Sequence, residues 1–132
     1  MRIVISDPKS GKSFQSEVSK EQEAQIVGKR IGEKLDGGIV GAAGYQLEFT
    51  GGSDSSGFPM RIDIPGQRKV SALITEGVGF HTKRRGERRR KMVRGNTFSS
   101  ETMQVNAKVL TSGSQPLDQI FVKAEGEKKE KK

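Results

Sequence analysis

The sequence predicts a mainly β fold: a small β-barrel or coiled, antiparallel-rich sheet with one packed α-helix, a long basic loop and a disordered C-terminal tail. Two observations carry this. Ile and Val together number 19 against five Leu, and β-branched side chains fit a pleated surface better than a helix. Several segments also alternate apolar and polar residues with a period of two, the pattern of a half-buried strand.

Ile3 and Ile5 begin the first strand. Asp7-Pro8-Lys9-Ser10-Gly11 reads as a turn, and Phe14, Ser16 and Val18 form a second strand after it. A helix is expected next. Ser19 suits an N-cap, with Gln22 three residues on completing a capping box. Ala24, Val27, Ile31 and Leu35 then fall on one face at helical spacing. Gly28 and Gly32 read as close-packing positions against a sheet, and Gly37-Gly38 as the stop. Tyr45, Leu47 and Phe49 alternate with Gln46, Glu48 and Thr50, a third strand. Val70, Ala72 and Ile74 make another, and Met103, Val105, Ala107 and Val109 the clearest. Ile62 and Ile64, and Ile120 and Val122, suggest two short ones. Residues 1–124 read as a single domain. Residues 125–132, EGEKKEKK, have no apolar residue and read as a flexible, solvated tail.

Composition excludes several functions. With no Cys and one His, His81, there is neither a disulfide framework nor a thiolate or multi-histidine metal site. No run approaches the ~18–20 apolar residues of a membrane span, so a soluble intracellular protein is expected. Leu, Ile, Val and Phe total 30 of 132 residues, so the core is small and aliphatic. Gly11-Lys12-Ser13 lacks the upstream glycine of a phosphate-binding loop, and Gly77-Val78-Gly79 lacks the third glycine of a dinucleotide fingerprint. His81 has no nucleophile or acid placed beside it by any pattern. Neither an enzyme nor a cofactor is expected, and no small-molecule substrate.

The charge is concentrated. The chain carries a net +8. Lys83, Arg84, Arg85, Arg88, Arg89, Arg90, Lys91 and Arg94, with Glu87 as the only acid, give 12 residues a charge of +7. The other 120 residues carry +1. Such crowding is repulsive unless a polyanion neutralises it. Six of the eight are arginines, whose planar forks bind phosphate oxygens in pairs. The lack of a groove-reading helix or an aromatic platform favours folded RNA over DNA or single strands. A second feature is the turn-rich stretch Gly51–Gly57 leading into Phe58-Pro59-Met60. There Phe58 and Met60 either plug the core, or Gly57, Phe58, Pro59 and Met60 form a loop touching RNA or a protein. Asp54, within that stretch, has no evident partner.

Three stretches together resemble the eukaryotic and archaeal small-subunit ribosomal protein S-six family, in its short archaeal form. They are Gly51 to Met60, the run Arg84-Arg85-Gly86-Glu87-Arg88-Arg89-Arg90-Lys91 continuing to Val93-Arg94-Gly95, and the opening strand–turn–strand. The basic run is one residue shorter between Arg85 and Gly86 than the family's pattern. The resemblance implies a β-barrel protein of the small ribosomal subunit, in the cytoplasm. Its partners would be ribosomal RNA, bound through Lys83 to Arg94, and neighbouring small-subunit proteins, with no membrane. The long phosphorylated C-terminal helix of eukaryotic members is not expected here. The alternative is a free RNA-binding translation or RNA-processing factor.

Overall fold

The computed structural model describes residues 1–121. A five-stranded sheet, order β2 (Lys12–Glu17), β1 (Arg2–Asp7), β7 (Thr102–Thr111), β4 (Gln46–Asp54), β3 (Lys34–Asp36), forms the body, and a two-stranded ribbon of β5 (Lys69–Ile74) and β6 (Arg89–Arg94) stands beside it. The large sheet is open. β2 and β3 are its two edges, so it is a mixed sheet covered by helical segments and not a closed barrel.

β1 (Arg2–Asp7) and β2 (Lys12–Glu17) form an antiparallel hairpin. Its turn follows from local chemistry. The Asp7 carboxylate accepts the Lys9 amide at 3.0 Å and the Ser10 hydroxyl at 2.9 Å, and Gly11 takes φ +71°. β1 then pairs in parallel with β7 (Thr102–Thr111), and β7 antiparallel with β4 (Gln46–Asp54). Ile3 and Ile5, Leu47 and Phe49, and Val105, Ala107 and Val109 place every second side chain in one core. The register of β4 on β7 shifts between Ser53 and Asp54. The extra residue on β7 is Met103, which is turned outward while Thr102 is buried.

The helix is shorter than its pattern suggests. α1 spans Lys20–Ile26, and the Ser19–Gln22 capping box is formed. Beyond Ile26 the chain leaves the helix, because Gly28 and Gly32 adopt φ +91° and +93°, left-handed values that end a helix. Gly28 is therefore the stop, and neither glycine is a close-packing position, since an added Cβ at either would meet nothing within 4 Å. Residues 28–31 run alongside residues 96–98 instead, with the Gly28 amide donating to the Phe98 carbonyl at 2.9 Å and the Ile31 amide to that of Asn96 at 2.9 Å. Leu35, expected on the helix, is buried in β3 (Lys34–Asp36), and Val27 is exposed. Gly37 opens a 3-10 turn, Gly37–Val40, where an added side chain would run into the Ala42 carbonyl and Tyr45.

Two further expectations change. Ile62 and Ile64 form no strand, and Ile62 is exposed. The chain is helical over residues 117–121, not extended, which turns Leu117 and Phe121 onto the core. There the Phe121 ring stacks on Phe14 at 5.5 Å, and Lys12 pairs with Asp118 at 3.1 Å. Val122 and the expected tail lie outside the described residues. Among the described residues no helix is long and apolar enough to cross a membrane.

β5 (Lys69–Ile74) and β6 (Arg89–Arg94) pair antiparallel from Lys69 opposite Arg94 to Ile74 opposite Arg89. The ribbon has its own small apolar cluster of Ile74, Phe80 and Val93, with Ile64 and Ala72 packed against it.

Candidate nucleic-acid interface

The basic run is a turn followed by a strand, not one long loop. Arg84 to Glu87 form a β-turn, closed by the Glu87 amide donating to the Arg84 carbonyl at 3.2 Å. Gly86 sits at its third position with φ +79°, which a type II turn assigns to glycine. The single acid organises the turn. Glu87 accepts the Lys83 amide at 3.1 Å on one oxygen and the Arg89 Nε at 3.1 Å on the other. The Lys83 amide above all, and then the charge of Arg89, hold the Glu87 carboxyl below its ordinary value of 4.5, against a smaller opposing effect of burial.

Around this turn the side chains of Lys83, Arg84, Arg85 and Arg88 are exposed. Among the described residues, none has a carboxylate within 4 Å. Lys83, Arg84 and Arg85 line an open recess of about 540 Å³ together with Gly86, Glu87 and Arg89, and Arg88 lies outside it. β6 then sorts the remaining cations by pleat. Arg89 and Lys91 lie on the face of Val93, over the Phe80 ring at 6.0 and 5.8 Å. Arg90 lies on the opposite face, where it donates to the Ser71 carbonyl at 3.3 Å.

Arg94 is different. It is only 3% exposed. Its Nε donates to Asp54 at 3.1 Å, and Nη1 donates to the Gln67 carbonyl at 2.9 Å and the Ser99 hydroxyl at 3.0 Å. Its Nη2 pairs with Glu101. The guanidinium is therefore consumed inside the fold and does not join the exposed cationic surface. Its backbone is engaged too, accepting from the Arg61 amide at 3.0 Å and donating to the Pro59 carbonyl at 2.9 Å.

Asp54 thus has the partner that its sequence position conceals. Burial opposes its ionisation. The Phe58 amide, the Arg94 guanidinium and the Ser56 amide outweigh that and keep its carboxyl below the ordinary range. Lys69 adds its charge at 3.7 Å. The stretch around it is half strand, since β4 runs through Gly51 and Gly52 to Asp54. Gly52 is required there by proximity. An added Cβ would strike the Gln104 carbonyl and press on the Met60 sulfur. The turn proper is Asp54 to Gly57, where Gly57 has φ +84°. After it Met60 is buried in the main core, Phe58 is half-buried beneath Lys69 at 5.6 Å, and Pro59 is half-buried. The two motifs read separately from the sequence are one construction, joined through Asp54 and Arg94.

Sequence reasoning passes over Arg61. It pairs with Asp63 through two bonds of 3.0 Å and donates to the Val78 carbonyl at 2.7 Å. It thereby ties the segment after Met60 to the one that delivers Phe80 beneath β6. Its spacing to Asp63 is the only local signal. His81 is exposed, and among the described residues no three His, Cys, Asp or Glu side chains converge to hold a metal.

Comparison with known proteins identifies the family of this chain. A model of the family described as Ribosomal protein S6e matches residues 1–122. A protein named Small ribosomal subunit protein eS6 from Methanoregula boonei is 46% identical over 132 residues, covering 99% of this chain and 92% of its own length. Proteins of the same name from Methanocaldococcus jannaschii and Archaeoglobus fulgidus are 46% and 43% identical. They cover 98% and 94% of this chain, and 96% and 97% of their own lengths. The chain belongs to the ribosomal protein S6e family, a family of structural ribosomal proteins and not of enzymes.

Proposed function

We propose that this protein is a structural constituent of the cytoplasmic small ribosomal subunit that grips ribosomal RNA through the Lys83–Lys91 segment. The names of its relatives support the subunit. The observation that supports the grip is the set of four exposed cations, Lys83, Arg84, Arg85 and Arg88, arranged around the Gly86 turn without carboxylate partners among the described residues. A fixed turn holds these charges together at low entropic cost to binding, and arginine forks suit paired phosphate oxygens. Arg89, Arg90 and Lys91 extend the cationic surface along β6. Arg94 serves the grip indirectly, by anchoring the strand. The Gly57-Phe58-Pro59-Met60 segment shapes that anchor, since Met60 fills the core and Phe58 lies under Lys69. Neighbouring small-subunit proteins are the other partners this reading implies.

The test is the triple variant Arg88→Ala, Arg89→Ala, Arg90→Ala. It is expected to fold with an unchanged circular dichroism spectrum, and to bind small-subunit ribosomal RNA more weakly with a flatter salt dependence. Binding and subunit incorporation equal to the wild type would overturn the reading.

A further inference from the structure

Beyond the basic turn, a second recess of about 600 Å³ opens at the other end of the ribbon, lined by Gln67, Arg68, Lys69, Arg94, Ser99, Ser100 and Glu101. We infer that this recess is a second phosphate-binding site for the RNA backbone, with Arg68 as its free cation. The inference rests on the proposed RNA-binding function and adds a separate contact to it.

The charges in the recess balance unevenly. Arg94 is taken up by Asp54 and Glu101, and Lys69 by Asp54 and the Ser56 hydroxyl at 2.9 Å. Both acids near the recess are therefore neutralised from within. Arg68 remains, exposed and with no carboxylate within 4 Å among the described residues. The same recess is lined by the turn Ser99–Thr102, closed by the Thr102 amide on the Ser99 carbonyl at 3.1 Å and by the Ser99 amide on the Thr102 hydroxyl at 3.1 Å. Within that turn, Ser100 makes no hydrogen bond through amide or hydroxyl among the described residues. The recess thus brings together one unpaired guanidinium and a turn with free donors, a combination that suits a phosphate oxygen.

Arg68 also stands on a fixed backbone. The Gly95 amide donates to the Arg68 carbonyl at 3.1 Å, and the Thr97 amide donates to that of Gly66 at 3.1 Å. The Arg94 guanidinium holds the Gln67 carbonyl. Gly95 is needed for this, because an added side chain would collide with the Gly66 carbonyl. The backbone under Arg68 is thus ordered before RNA arrives, and binding has only the side chain left to fix.

The two sites are separated by the length of β6. Five residue steps from Arg89 to Arg94, at roughly 3.3 Å each, span about 17 Å. A backbone contacted at both ends has its direction along the ribbon defined, which a single cationic patch cannot do.

The test compares Arg68→Glu, the triple alanine variant of the basic turn, and wild type for binding to a small-subunit ribosomal RNA transcript across a salt series. Arg68→Glu is expected to weaken binding and to reduce the slope of log affinity against log salt by about one, with unchanged thermal unfolding. An unaltered slope and affinity in Arg68→Glu, with the triple variant still weakened, would overturn this site and leave the proposed function standing. If the triple variant alone were unchanged, the proposed function would fail and the recess would stand as the contact. A second measurement uses the absence of cysteine from the chain. An iron chelate tethered at Ser55→Cys, whose amide donates to the carbonyl of the recess residue Glu101 at 3.1 Å, is expected to cleave RNA in the reconstituted subunit. Its cleavage should fall at a place distinct from that of a tether at His81→Cys. No RNA cleavage from position 55 would overturn the inference.

Discussion

Arg94 ends the basic run along the chain but leaves it in space. Its pair with Asp54 is buried on both sides, so removing either partner leaves the other charge with only its outer counter-ion, Glu101 for Arg94 and Lys69 for Asp54, at a cost of about 3 kcal/mol. Asp54→Ala and Arg94→Ala are each expected to lower stability by that amount in urea unfolding, whereas Arg88→Ala should leave it nearly unchanged. Glu87 gives a second residue-scale expectation. Its carboxyl is held below 4.5 in the folded protein, so its order-giving bonds are complete above that value and are lost as pH falls through the lowered one. In an NMR titration the Lys83 amide shift should follow the Glu87 carboxyl, with a shared midpoint below 4.5. A midpoint at or above 4.5 would contradict the bond. The charge density of this region is legible in the sequence because it is local. The division between exposed cations and the buried one is not, because Asp54 lies 40 positions from Arg94 and only the fold brings them together.

At the scale of elements, β1, β2, β4, β5 and β7 were readable, whereas β3, β6 and the helix end were not. Period-two alternation in β1, β4, β5 and β7 reflects one buried face, and the structure buries that face. Ala24, Val27, Ile31 and Leu35 satisfy a helical period without being helical throughout, because the backbone at Gly28 and Gly32 has already turned left-handed. Composition shows a glycine but not its φ. The sign of a substitution tells the two readings apart. In a helix, Gly28→Ala and Gly32→Ala would each stabilise by about 1 kcal/mol. At φ near +90° each is expected to destabilise by about 1–2 kcal/mol, read as a lower midpoint in thermal unfolding. The helical stretch at 117–121 was missed for a related reason. Ile120 and Val122 suggest a strand, but Leu117 and Phe121, four residues apart, are the pair that meets the core.

The whole molecule is a nearly neutral sheet carrying a cationic ribbon. If about five phosphates are neutralised, RNA affinity should fall roughly 10²–10³-fold between 50 and 200 mM salt, as measured by filter binding at matched pH. An affinity that holds constant across that range would mean that the cations do not carry the interaction. Fold class and the position of the charge came from composition and spacing. The open sheet and the junction between ribbon and body depend on contacts across the whole chain. One such contact is the parallel pairing of β1 with β7, in which Ile3 lies beside Val105. During synthesis the first strand leaves the exit tunnel roughly 5–20 s before its partner, at about 5–20 residues per second. Throughout that interval Ile3 and Ile5 have no final neighbour on that side, while the +7 segment emerges ahead of the strand that completes the body. The nascent protein is therefore a sticky polycation before it is a folded one, and early capture by RNA or by a chaperone would shield it until β7 arrives.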